Sequence, residues 1–120
     1  MKLILAVAVV LAPIAAGAAT LQFKKITCVT IQDPIPPDRI QVYVDGKTVG
    51  SEMKMIKGDI IDLSKTPPVS FTGGVTLTLK EIDPLSDDTL GSKAISDKPG
   101  SGTAQFRYFL GDYLVEYEVK

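Results

Sequence analysis

Beyond residue 22 the chain alternates apolar with polar side chains at a period of two, and no stretch there sustains the spacing of an amphipathic helix. Successive side chains of a strand point to opposite faces, so each such segment offers one face to a core and one to water. Val75 to Glu81 is the clearest case, with Val75, Leu77 and Leu79 opposite Thr76, Thr78 and Lys80. Arg39 to Val44 sets Ile40, Val42 and Val44 against Gln41 and Tyr43, then meets Asp45-Gly46, a favoured two-residue hairpin turn. At the C-terminus Tyr113, Val115, Tyr117 and Val119 oppose Leu114, Glu116 and Glu118. Phe23 to Ile31, Lys47 to Val49, Glu52 to Ile56, Ile60 to Leu63, a short segment near Lys93 to Ile95, and Gln105 to Leu110 supply the remaining strands.

Turn chemistry separates these segments. Pro34, Pro36 and Pro37 stop the first strand, and Lys57-Gly58-Asp59 and Gly111-Asp112 read as turns. Pro67-Pro68 and Gly73-Gly74 bracket an irregular connection, and Asp97 to Gly102 reads as a flexible loop. Short strands at intervals of roughly ten residues predict an all-β chain, a single antiparallel β-sandwich of about eight short strands.

The N-terminus sets the compartment. Met1 and Lys2 precede an apolar run from Leu3 to Leu11, Pro13 breaks it, and Ala16-Gly17-Ala18 has the small-x-small form that signal peptidase accepts. Residues 1–19 are therefore expected to be a cleaved signal peptide and residues 20–120 one secreted domain, extracellular or periplasmic. The run is shorter than the about 20 residues a membrane-spanning helix needs, and no second one follows, so no transmembrane segment is expected in the mature chain. Lys2, one of 13 basic residues, leaves with the signal; 12 basic then face 14 acidic residues, a formal charge of −2. That balance argues against nucleic acid as a partner, and none is expected, since neutralising phosphates needs a basic excess on one face. Cys28 is the only cysteine and has no intramolecular partner; its place in Ile26-Thr27-Cys28-Val29-Thr30-Ile31 predicts a buried thiol.

No enzyme is expected. Histidine is absent, no serine sits in a Gly-x-Ser-x-Gly elbow, and no glycine-rich loop opens a helix around a phosphate. The acids are distributed unevenly instead. Asp33 and Asp38 bracket the proline-rich loop, and Glu81, Asp83, Asp87 and Asp88 crowd the segment after the clearest strand. Calcium takes six to eight oxygen ligands, which carboxylates on two neighbouring loops supply. Solvated turn acids are the competing reading, because Asp beside Pro and Gly is ordinary turn chemistry. Ile35 and Leu85 lie inside these two loops, placed either to meet a lipid or protein surface or to fold back on the rim.

Two segments carry a resemblance. Asp33-Pro34-Ile35-Pro36-Pro37-Asp38-Arg39-Ile40-Gln41-Val42 and Leu79-Lys80-Glu81-Ile82-Asp83-Pro84-Leu85-Ser86-Asp87-Asp88-Thr89-Leu90-Gly91 resemble the two aspartate-bearing loops of the C2 domain, a calcium- and lipid-binding β-sandwich. In that family a first loop carries two aspartates, and a later one carries Asp-x-Asp, several residues, Asp, an apolar residue and Gly. The chain departs from this at Glu81, which stands where the family usually has Asp, and each loop looks about one residue short. The resemblance implies Ca2+ as cofactor, held by Asp33, Asp38, Glu81, Asp83 and Asp88 with Asp87 as alternate; the apolar Ile35 and Leu85 within the same loops are the expected membrane or partner contacts. The expected function is an exported binding module, monomeric, that engages a lipid surface or protein through two acidic loops. The alternative is a small secreted interaction protein, such as an effector, inhibitor or adhesion component, whose β-sandwich works without calcium.

Overall fold

Nine strands and no helix occupy residues 18–120, which a computed structural model describes; the apolar N-terminal run and the start of the expected cleavage motif lie outside the described residues. The strands are β1 (Ala19–Thr30), β2 (Asp38–Val44), β3 (Lys47–Met55), β4 (Ile60–Asp62), β5 (Val69–Phe71), β6 (Gly74–Glu81), β7 (Asp88–Ser96), β8 (Gly100–Tyr108) and β9 (Gly111–Val119). One sheet has the order β4-β1-β9-β8, with β5 also paired to β1, and the other has the order β3-β2-β6-β7. Every pairing is antiparallel. The inward faces are those the alternation marks: Ile40, Val42, Leu77 and Leu79 from one sheet meet Phe23, Ile26, Phe106, Tyr113 and Val115 from the other. Each fully buried Leu or Phe contributes about 1.5–3 kcal/mol against its exposed state. Cys28 lies in this core with no accessible surface, as the strand pattern requires.

Several strand limits differ from the sequence expectation, each for a reason of pairing. The two expected strands Lys47–Val49 and Glu52–Ile56 merge into one, β3, which stops at Met55, because a bulge opposite Ile40 and Val42 accommodates the extra residues. Gln41 donates through Nε2 to the carbonyls of Val49 (3.3 Å) and Gly50 (3.2 Å), satisfying the backbone that the bulge unpairs. The irregular connection around Val69 contains β5, held by Ala19, Thr20 and Leu21 at the start of β1. Gly100 to Gly102, flexible by composition, is the start of β8 because β9 offers Val119 to Tyr117 as pairing partners. Asp45-Gly46 forms the expected turn, with φ of 50° and 82°. The last turn falls on Phe109-Leu110, two residues before the expected Gly111-Asp112, since Tyr108 already pairs with Gly111.

Connections 31–37, 56–59, 82–87 and 109–110 all lie at one end of the sandwich. Asp38 pairs with Met55 there, Glu81 pairs with both Ile40 and Asp88, and Thr30 pairs with Asp112.

Candidate functional site: two acidic loops at one end of the sandwich

Asp38 anchors this end. It opens β2 with no accessible surface, and its carboxylate accepts the backbone N–H of Gln32 (2.6 Å) and of Asp33 (3.2 Å) and the hydroxyl of Tyr113. The prolines between supply no N–H, so one side chain closes the loop back onto the end of β1. Tyr113 reaches it from the opposite sheet and ties the sheets together. Burial, then the bond to Asp38, drives the Tyr113 hydroxyl pKa far up, so it stays a neutral donor. Cys28 sits beside it, its thiol pKa raised first by burial.

Above this anchor three carboxylates converge. Asp33, Glu81 and Asp83 each offer an oxygen, and these oxygens lie within 4.8 Å of one another. Glu81 ends β6 at 2% exposure. Its Oε2 accepts the Arg39 N–H at 3.4 Å, a long bond, and its Oε1 has no partner among the described residues. Burial pushes its pKa up to about 7; the Arg39 bond works against this, and Asp33, Asp38 and Asp83 add to it. Asp33 is raised too, first by burial and then by Asp38, Asp83 and Asp88. Acids held this close without compensation favour protonation, and a cation reverses that preference.

Acids also hold the loops in place. Asp83, besides belonging to the triad, accepts the Leu85 N–H through Oδ1 (3.0 Å), and Asp87 accepts the Asp83 N–H (3.2 Å). Asp88 accepts from Gln32 Nε2 at 3.2 Å, while Gln32 Oε1, also buried, has no partner among the described residues. Of the six acids marked in the sequence, Asp33, Glu81 and Asp83 thus meet as a triad. Asp38, Asp87 and Asp88 surround them with oxygens already bonded to protein donors. Gln32 was not marked: an amide two residues beyond the end of β1 carries no metal-ligand signature, and only the fold shows its partnerless oxygen on an amide bonded to Asp88.

These residues fit a hard cation. All the donors are oxygens, the described residues contain no histidine, and the one thiol is in the core. The buried Glu81 Oε1 without a partner belongs to a cluster of carboxylates, and the Gln32 Oε1, also without one, is on an amide bonded to Asp88; all-oxygen donors of this kind are what calcium takes.

Two large apolar side chains in the acidic loops are exposed. Ile35 and Leu85 are 80% and 95% exposed, so neither folds back on the rim. The turn Phe109-Leu110, at the same end of the sandwich, was not expected from the sequence, because the glycine at 111 drew the expected turn two residues along.

No family model matches the sequence, and no curated protein does. Solved structures do match the fold. A structure described as a C2 domain is 14% identical, with a TM-score of 0.52 over 87% of this chain and 98% of its own. CC2D1B, described as coordinating ESRCT-III activity during the mitotic reformation of the nuclear envelope, is 12% identical, with a TM-score of 0.54 over 91% of this chain. A structure of the paired C2 domains of extended-synaptotagmin 2 is 14% identical, with a TM-score of 0.54 over 98% of this chain. This chain spans 56% and 46% of the length of the last two.

Proposed function

We propose that this C2-like sandwich is an exported binding module that takes calcium between its 31–37 and 82–87 loops and then engages a lipid surface or a protein. Asp33, Glu81 and Asp83 are the primary ligands, Gln32 Oε1 completes the set from the protein side, and Asp38, Asp87 and Asp88 hold the loops. The carrying observation is the buried Glu81 Oε1, without a partner among the described residues, on a carboxylate that lies within 4.8 Å of the Asp33 and Asp83 oxygens. An ion there turns the repulsion among the acids into attraction. The exposed Ile35 and Leu85 support a contact surface in the same loops. The calcium-independent reading has its own support in Asp38, whose carboxylate is already satisfied by three protein donors.

Thermal melting in calcium and in chelator tests the proposal. Extracellular calcium modules bind with Kd on the order of 10⁻⁴–10⁻³ M, and a tenfold excess over Kd stabilises by about 1.4 kcal/mol. For a domain of this size Tm rises by roughly 5–10 °C. Asp83→Asn raises Tm slightly in chelator and removes most of the calcium response, and magnesium does much less at equal concentration. A melting curve unmoved by calcium, with Asp83→Asn alike in calcium and chelator, leaves the calcium-independent interaction protein as the better reading.

A further inference from the structure

Among the described residues the large apolar side chains that remain exposed gather at the acidic end: Val29, Ile35, Ile56, Ile60 and Leu85, with the run Tyr108-Phe109-Leu110. Ile35 and Leu85 belong to the acidic loops. The others sit at the ends and turns of the sheet containing β1, β4, β8 and β9, or in the turn entering β4.

Phe109 is the most informative of them. It is 83% exposed and holds a φ of 52°, in the left-handed region that hairpin turns of this length fill with glycine, asparagine or aspartate. A phenylalanine there is unfavourable twice over in water, once for its backbone and once for its bare ring. Leu110 follows at 67% exposure, and the Tyr108 ring lies 4.6 Å from that of Phe109. The tip is fixed to the acidic site. Thr30 Oγ1 donates to the Leu110 carbonyl at 2.5 Å, and the Gly111 backbone packs so closely on Gln32 that an added Cβ would lie 2.9 Å from the Gln32 Cβ. Gln32 in turn donates to Asp88.

We propose that the β8–β9 tip, Phe109 with Leu110, is a third membrane-inserting element that enters a lipid bilayer interface beside Ile35 and Leu85 and tilts the domain toward the β1/β9 sheet. This rests on the acidic end being the binding end, but the tip needs no calcium to be exposed. A bilayer is the occupant because the apolar groups are highly exposed single projections on separate turns. Clefts along the flank and at the opposite end are lined by none of these residues. A fluid interface accepts scattered projections of this kind, whereas a protein partner would need a matching pocket for each.

The test uses a fragment of residues 18–120, which carries all nine strands and the core and so folds alone; it also keeps the apolar N-terminal run from binding lipid itself. Binding to phosphatidylcholine/phosphatidylserine vesicles is measured by sedimentation, in calcium and in chelator. Phe109→Asn and Leu110→Gln each lower partitioning about tenfold in both conditions. Phe109→Asn also raises Tm or leaves it unchanged, since asparagine suits the turn, so lost binding is not lost folding. A dye on Phe109→Cys, which Cys28 does not compete for because it is buried, shifts to the blue on binding and is quenched by nitroxide lipids. If melting shows no calcium response but the Phe109 and Leu110 variants still lose vesicle binding, the calcium reading falls and the tip stands. If the variants bind like the parent while a dye at Leu85→Cys is quenched and one at 109 is not, the tip is overturned and the acidic-loop reading stands. Absence of vesicle binding in both conditions also overturns the tip and points to a protein partner.

Discussion

Glu81 concentrates the chemistry of this protein in one side chain. Its carboxyl is raised from an ordinary value of 4.5 to about 7, so without an ion the folded state holds its proton more tightly than the unfolded chain does. Its stabilising contribution is full below about pH 4.5 and is lost as pH rises through 7. Asp33 is shifted in the same direction and acts with it. Asp62, lowered by its bonds to Ser64, has the opposite sign but acts below its ordinary 3.8, outside this window. In chelator, denaturant midpoints therefore fall between about pH 5 and 7, and Glu81→Gln flattens that slope. At the proposed site calcium would take the ionised form, so its affinity is expected to rise with pH over the same range and its binding to release protons. Calorimetry at about pH 6.5 in buffers of different ionisation enthalpy reads that release. An enthalpy independent of buffer, with affinity flat from about pH 5.5 to 7.5, would place the ion away from Glu81.

The strand ends decide what the loops can do. β1 stops at Thr30 before the prolines, and the loop beyond it is closed by Asp38 and not by backbone pairing. Tyr113→Phe removes one donor to that buried carboxylate and is expected to cost about 1–3 kcal/mol, read by chemical denaturation, with calcium affinity falling as the loop loosens. At the neighbouring turn, glycine at 111 serves close packing: Gly111→Ala drives a methyl group against Gln32 and is expected to cost about 1–3 kcal/mol. If the proposed calcium site is right, the same change is expected to disturb the Gln32 bond to Asp88 and weaken calcium binding, whereas Phe109→Asn is expected to leave calcium binding in solution unchanged. Equal effects of the two turn substitutions on calcium affinity would show that Gln32 does not link turn to site.

For the whole molecule, the proposed export leads to a prediction at the other end of the chain. Ala19 is buried and pairs with Phe71, and Thr20 exchanges backbone bonds with Lys120, so cleavage before Ala19 keeps the first strand intact. Mass spectrometry of the secreted protein is expected to find Ala19 or Thr20 at its N-terminus, and Met1 retained there would count against a cleaved signal. The layers were legible along the chain: period-two alternation fixes which side chains of β2, β6 and β9 face inward, and Asp45-Gly46 fixes a hairpin, because these are local consequences of strand geometry. The acids were visible too, as two separate loops whose bordering residues Arg39 and Glu81 stand 42 apart in the chain. Which of those acids meet is a matter of tertiary pairing. The β2–β6 register brings Asp33, Glu81 and Asp83 together, while Asp38 is drawn beneath them by Tyr113 from the other sheet. Packing between strands also leaves the Gln32 Oε1 without a partner while its Nε2 bonds Asp88, and puts the Phe109-Leu110 turn at the same end of the sandwich as Ile35 and Leu85. Those facts depend on contacts between residues far apart in the chain, and alternation along a strand carries no information about which strand lies next to it.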